Sequence, residues 1–180
     1  MKSVYNFVVT PIKSRYNNTK DVEGKELIVN TEISNHQYVS RKAIVKSIPK
    51  VGKTNIKVGD TVIVHHNVFR RWHNQYGVEK NSRSYIDEEN YLVQPDQIFL
   101  HKDIEWKAQK GYCFVAPIKS TSKLSVDKEK PLVGIVKHTD GTVNKGDLIG
   151  FRPSSEYEFF IDGQKLYRVL SNFITIKYEY

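Results

Sequence analysis

The sequence contains one cysteine, one methionine and only six prolines in 180 residues. A lone cysteine, Cys113, can neither close a disulfide within the chain nor build a cysteine-based zinc cluster, and it points to a reducing, cytoplasmic setting. No apolar run approaches the roughly 18–20 residues that a bilayer-spanning helix needs, so no membrane insertion is expected. The opening Met-Lys-Ser-Val-Tyr-Asn-Phe lacks an apolar stretch followed by a small-residue cleavage site, and no signal peptide is expected. The sequence also has no glycine-rich phosphate loop, no Gly-x-Ser-x-Gly elbow and no His-Glu-x-x-His pattern. Neither an enzymatic activity nor a cofactor is therefore expected.

What is present is apolar and aromatic. Hydrophobic residues make up 39% of the chain, with 11 Tyr and 8 Phe, enough for a packed core. Phe7 to Ile12, Lys42 to Lys46, Asp60 to Val64 and Tyr91 to Val93 are short β-branched or aromatic runs bounded by Gly, Pro, Asn or charged residues. No segment keeps an apolar 3.6-residue period over three turns. The expected class is all-β, with strands short enough for small barrels or sandwiches.

An internal repeat organises these strands. Phe7-Val8-Val9-Thr10-Pro11-Ile12-Lys13-Ser14 returns as Tyr112-Cys113-Phe114-Val115-Ala116-Pro117-Ile118-Lys119-Ser120, and Ile44-Val45-Lys46 returns as Ile135-Val136-Lys137. Lys57-Val58-Gly59-Asp60 corresponds to Asn144-Lys145-Gly146-Asp147. The stretch from Ile86-Asp87 through Tyr91-Leu92-Val93 to Ile98 corresponds to Ile161-Asp162, Tyr167-Arg168-Val169 and Ile174. The order is kept while the spacing shrinks, as when loops are trimmed on a retained fold. Two related β-domains follow, residues 1–103 and 108–180, with residues 104–107 as a linker.

The first repeat resembles the GroES or chaperonin-10 family of chaperonin lids across residues 4–101. The resemblance rests on Pro11-Ile12-Lys13, a long polar segment from Ser14 to Arg41, Val58-Gly59-Asp60, Tyr76-Gly77-Val78 and Ile86-Asp87-Glu88-Glu89-Asn90-Tyr91-Leu92-Val93. It implies two tandem GroES-like small β-barrels, the second trimmed, and a co-chaperonin that caps a GroEL-type chaperonin ring. Within a mobile loop of residues 14–41, the apolar Leu27-Ile28-Val29 would dock on the ring, flanked by Gly24, Lys25, Glu26, Asn30 and Thr31. Burying three such side chains is worth roughly 4–9 kcal/mol gross, much of it offset by ordering the loop. The resemblance further implies a homo-oligomeric, sevenfold ring in which Phe7, Val8 and Val9 of one subunit meet Ile98, Phe99 and Leu100 of the next. The segment Pro49 to Asn55 leaves only a shortened roof, as in phage-encoded members, so a phage protein in the host bacterial cytoplasm is expected. An ordinary edge strand at residues 27–31 stays open, as does a phage virion or scaffold protein reusing the fold.

Two further clusters remain. His65, His66 and His73 near Asp60 are candidate metal ligands, but adjacent strand residues face opposite ways, so no metal is expected. Arg70, Arg71, Trp72, His73 and Tyr76 combine phosphate-binding and base-stacking types on a chain of net charge +8. Basic and acidic residues are interspersed along the chain, so a solvated surface or subunit contact is preferred to nucleic acid.

Overall fold

The computed structural model describes residues 2–16, 19–28, 35, 38–120 and 129–179, without the side chains of residues 19–21 and 26. The chain divides into two compact units, Met1–Glu105 and Trp106–Tyr180. Both are built from β-strands and short 3-10 turns, so the fold is all-β. Among the described residues, no helix is long and apolar enough to cross a membrane.

Unit 1 contains β1 (Phe7–Pro11), β2 (Thr19–Val22), β3 (Lys25–Ile28), β4 (Lys42–Ser47), β5 (Thr61–Val64), β6 (Arg71–His73), β7 (Glu79–Asn81), β8 (Tyr85–Asp87), β9 (Asn90–Val93) and β10 (Ile98–Lys102). Its main sheet runs β10-β5-β4-β1-β9-β8, while β2-β3 and β6-β7 form separate two-stranded hairpins. Unit 2 contains β11 (Trp106–Ala108), β12 (Tyr112–Lys119), β13 (Glu129–Thr139), β14 (Leu148–Phe151), β15 (Tyr157–Ile161), β16 (Gln164–Leu170) and β17 (Ile174–Tyr178). Its sheet runs β17-β14-β13-β12-β16-β15.

The two orders are the same once β1 is matched with β12, and the agreement extends to register. Val9 faces Val45 as Val115 faces Val136, and Phe7 faces Val93 as Cys113 faces Val169. A bulge between Val8 and Val9 recurs between Phe114 and Val115. The turn before β5 is also repeated. Asp60 accepts a hydrogen bond from the Lys57 amide at 2.8 Å, and Asp147 accepts one from the Asn144 amide at 2.8 Å. A carboxylate three residues along the turn satisfies an amide that would otherwise be unpaired, which is why Gly-Asp recurs at both places.

Strand alternation explains the cores. Phe7, Val9, Val45, Val62, Val64 and Val93 are buried together in unit 1. Their counterparts Cys113, Val115, Val136, Ile149, Phe151 and Val169 are buried together in unit 2. Phe7 is exchanged for the smaller Cys113, while Val64 is exchanged for the larger Phe151. The two changes offset each other in volume, which is how a core changes sequence at little cost.

Two sequence expectations need correction. Among the described residues neither sheet closes into a barrel, because the end strands do not pair with each other. In unit 1 the end strand β8 is only three residues long and exposes Ile86 and Asp87, so it has no apolar face with which to seal against β10. The linker read at residues 104–107 runs into strand β11. Lys107 is exposed between half-buried Trp106 and buried Ala108, and the Trp106 indole donates to Asp162 at 2.8 Å. A three-residue strand with one large apolar residue is too short to reveal its alternation in sequence.

Candidate functional site

Unit 1 differs from unit 2 by two insertions in the shared sheet. The first is an arm between β1 and β4, residues 12–41. At its base Tyr16 bridges to Val39, both buried, and the Ser40 amide donates to the Arg15 carbonyl at 2.8 Å. Above this clamp β2 and β3 form a regular hairpin with Lys20 opposite Leu27 and Thr19 opposite Ile28. Its two-residue turn places Glu23 at φ 54° and Gly24 at φ 78°. Positive φ at both positions is the geometry that matches the strand twist, and glycine adopts it without strain.

The arm brings an apolar pair to the surface. Leu27 is 52% and Ile28 65% exposed. As neighbours on a strand they point to opposite faces of the hairpin. Gly24 and Lys25 are exposed at the turn and the start of β3, and Glu26 continues that strand. Val29, Asn30 and Thr31 lie outside the described residues. The segment expected as one long loop therefore includes a strand pair, which polar composition concealed because Thr, Val, Leu and Ile are few and spread over both strands.

Arg15 ties the arm to the sheet. Its side chain is only 9% exposed; Nη2 donates to Asn81 Oδ1 at 2.7 Å, and Nη1 lies 3.6 Å from a Glu88 carboxylate oxygen. The guanidinium carbon sits 5.2 Å from the Tyr85 ring centre and 5.4 Å from that of Tyr91, within cation–π range of both. Tyr91 is fully buried, and that burial pushes its phenol up to about 12. It stays neutral beside the arginine at any ordinary pH. Tyr16 continues the clamp: its hydroxyl accepts from the Arg71 amide at 2.7 Å, and the Arg71 guanidinium lies 5.0 Å from its ring.

The second insertion, residues 65–84, carries the β6-β7 hairpin, where Arg71 faces Asn81, Trp72 faces Lys80 and His73 faces Glu79. The pleat sorts its side chains. Arg71 pairs with Glu79 at 3.0 Å on the face that also holds Asn81. Trp72 and Lys80 belong to the other face. Next to it Asn67, Arg70, Trp72, Ser82, Arg83 and Gln97 line a cleft of about 450 Å³.

The remaining candidates are placed as follows. Phe7, Val8 and Val9 are at most 2% exposed, and β1 is hydrogen-bonded to β4 on one edge and β9 on the other. On the β9 side the pairing covers Phe7, Val8 and Val9, and on the β4 side it covers Val8 to Pro11. Ile98, Phe99 and Leu100 are equally buried, with Ile98 and Leu100 in register with β5. His65 and His66 are not on a strand, since β5 ends at Val64. Their rings lie 4.3 Å apart, and His65 Nδ1 accepts from the Asn67 amide. Among the described residues no group of three His, Cys, Asp or Glu side chains is placed to hold a metal ion. The Cys113 thiol is buried, and that burial pushes it up to about 12, far from the range of a reactive thiolate.

The site that the sequence missed is the Arg15 clamp. A buried arginine between two tyrosines has no local signature, because Arg15, Asn81, Tyr85 and Tyr91 are brought together by the base of the arm and three different strands. Compared with known proteins, the chain matches no family model and no curated protein.

Proposed function

We propose that the chain is a co-chaperonin of the GroES kind, which caps a GroEL-type chaperonin ring and assists ATP-dependent folding in a bacterial cytoplasm. The observation that carries this reading is the arm, which presents exposed Leu27 and Ile28 beyond a base fixed by buried Arg15, Tyr16 and Val39. Apolar residues held out on a clamped arm, away from their own core, suit insertion into a groove on a partner. Burying Leu27 and Ile28 there is worth roughly 3–6 kcal/mol gross, which leaves weak binding for one arm once association costs are met. A ring of identical copies, sevenfold by the resemblance, multiplies that into firm but reversible capping. The chaperonin supplies the ATP hydrolysis and this chain needs no cofactor.

The test is chaperonin-dependent refolding of a denatured client with this chain in place of the usual lid. The expected result is a yield that rises with the protein present and returns to the chaperonin-alone level in a Leu27→Asp/Ile28→Asp variant. Equal yields with wild type and variant overturn the reading. One observation favours the alternative, a virion or scaffold protein. Phe160 is 68% exposed on the end strand β15 and gives unit 2 an apolar surface for assembly. The two differ in protease protection of residues 14–41. A lid is protected by chaperonin and nucleotide, a scaffold only within its own assembly.

A further inference from the structure

The cleft beside the β6-β7 hairpin has no part in docking the arm. We infer that it binds single-stranded nucleic acid, with one base stacked on Trp72 and the flanking phosphates held by Arg70, Arg83 and Lys80.

Four observations lead there. Trp72 is 37% exposed and lines the cleft, so a large aromatic surface is available there. Arg70 and Arg83 line the cleft with it, and Lys80 is its cross-strand neighbour. No carboxylate is among the lining residues. The acid of the hairpin, Glu79, is on the opposite face and engaged by Arg71. Among the described residues Arg70 has no hydrogen-bond or ion-pair partner, and its Nε is buried without an acceptor. A buried guanidinium nitrogen without an acceptor is costly, and an oxyanion that reaches Nε and a terminal nitrogen together removes that cost.

The remaining lining is polar. The Ser82 hydroxyl is committed to the Val68 carbonyl at 2.6 Å and fixes the cleft wall. Asn67 carries a side-chain amide able to meet the polar edge of a base, and Gln97, whose Oε1 accepts from the Gln94 amide at 3.0 Å, offers its amide nitrogen as a donor. An aromatic flanked by unpaired cations is the arrangement that holds single strands with little sequence preference, because every base has a stacking face and every residue a phosphate. An acidic peptide would satisfy the cations but leave the indole unused. The interspersed basic and acidic residues of the sequence hide this site, because only the pleat of the hairpin separates Glu79 from Trp72 and Lys80.

The test is fluorescence anisotropy of the full-length protein with a short fluorescein-labelled oligothymidylate. With about three phosphates neutralised, affinity is expected to fall roughly 20-fold between about 50 and 200 mM salt. Trp72→Ala is expected to weaken binding roughly 10-fold or more, and Trp72→Phe to recover much of it, because loss of stacking is the difference. Arg70→Ala/Arg83→Ala is expected to flatten the salt dependence. An unchanged thermal melt separates these effects from misfolding. A duplex of the same length is expected to bind less well, its bases being unavailable. Three results would each overturn the inference: no binding at low salt, displacement by thymidine monophosphate as effectively as by the strand, and equal competition by polyglutamate with Trp72→Ala silent. The last would assign the surface to an acidic protein. No chaperonin enters this assay, so its outcome is independent of the capping reading.

Discussion

Unit 1 and unit 2 share one sheet and differ in what is inserted into it. Along β10-β5-β4-β1-β9 and β17-β14-β13-β12-β16 the strand order and the register coincide, and the bulge at Val8/Val9 recurs at Phe114/Val115 as the shift at Ile98/Leu100 recurs at Gly150/Phe151. The arm of residues 12–41 and the hairpin of residues 65–84 belong to unit 1; in unit 2 the span from β14 to β15 is only residues 152–156. The sheet is constrained because a one-residue slip would turn every buried side chain outward. Connections carry no such constraint, so both candidate binding surfaces lie in them.

The units also solve one packing problem differently. In unit 1 the cation over the tyrosines comes from the base of the arm, as Arg15. In unit 2 it comes from the sheet itself, as Arg168 in β16, whose guanidinium lies 5.5 Å from the Tyr112 ring centre and 5.6 Å from that of Tyr157. An arginine lent by the arm couples arm to sheet, whereas one rooted in a strand couples only strands.

The largest effect is expected where the matched positions diverge most. Ala43 in unit 1 corresponds to Gly134 in unit 2, and a Cβ at Gly134 would lie 2.8 Å from Val115 Cγ2 and 3.0 Å from the Ala116 carbonyl oxygen. Gly134→Val is expected to destabilise unit 2 by about 3 kcal/mol through overpacking. Buried Cys113 reports it: labelling by a thiol reagent, negligible in the wild type, becomes measurable at low urea. Unchanged labelling would show that the β12-β13 pair has slack that the geometry denies.

Next is the arm's anchor. Arg15→Ala removes the bond to Asn81 and two ring contacts, and is expected to cost unit 1 about 2 kcal/mol. Cleavage by trypsin at Lys20 and Lys25 should accelerate, while Cys113 labelling stays at the wild-type rate. Acceleration of both would mean that the arginine supports the whole chain. Tyr16→Phe leaves the Arg71 amide without its acceptor and should cost about 1 kcal/mol by urea denaturation. The smallest effect is electrostatic and confined to unit 2. Burial alone would raise the Asp140 carboxyl, but hydrogen bonds from Thr142, Gly111 and Ser171 hold it below its ordinary value. Its stabilisation is present above the unfolded value near 4 and is lost as pH falls through the lower folded value. A urea midpoint that declines below about pH 4, and declines less in Asp140→Asn, is the expected result. Identical profiles would remove Asp140 from the acid response.

Much of this architecture is written in local pattern. The duplication is legible because the matched strands keep the same residues, such as Val9-Thr10-Pro11 and Val115-Ala116-Pro117, and register follows from which of them are apolar. The exposed Leu27-Ile28 pair is visible as apolar residues in a polar stretch. What local pattern misses depends on distant elements meeting. Open sheets and closed barrels have the same strands, and only the pairing of end strands separates them. The occupied edges of β1 come from β4 and β9, which lie far along the chain. The Arg15 clamp arises from distant elements meeting, and the Arg70–Trp72 cleft from charges sorted by the pleat and not by their order in the chain.

The capping reading is tested most directly by sedimenting the full-length protein with a bacterial chaperonin, with and without ADP or ATP, beside the Leu27→Asp/Ile28→Asp variant. Nucleotide-dependent co-sedimentation of the wild type, lost in a variant that remains folded, is the predicted result. A variant that co-sediments as well as the wild type, or a wild type that forms a defined oligomer and associates with no chaperonin, would contradict it and favour the assembly role.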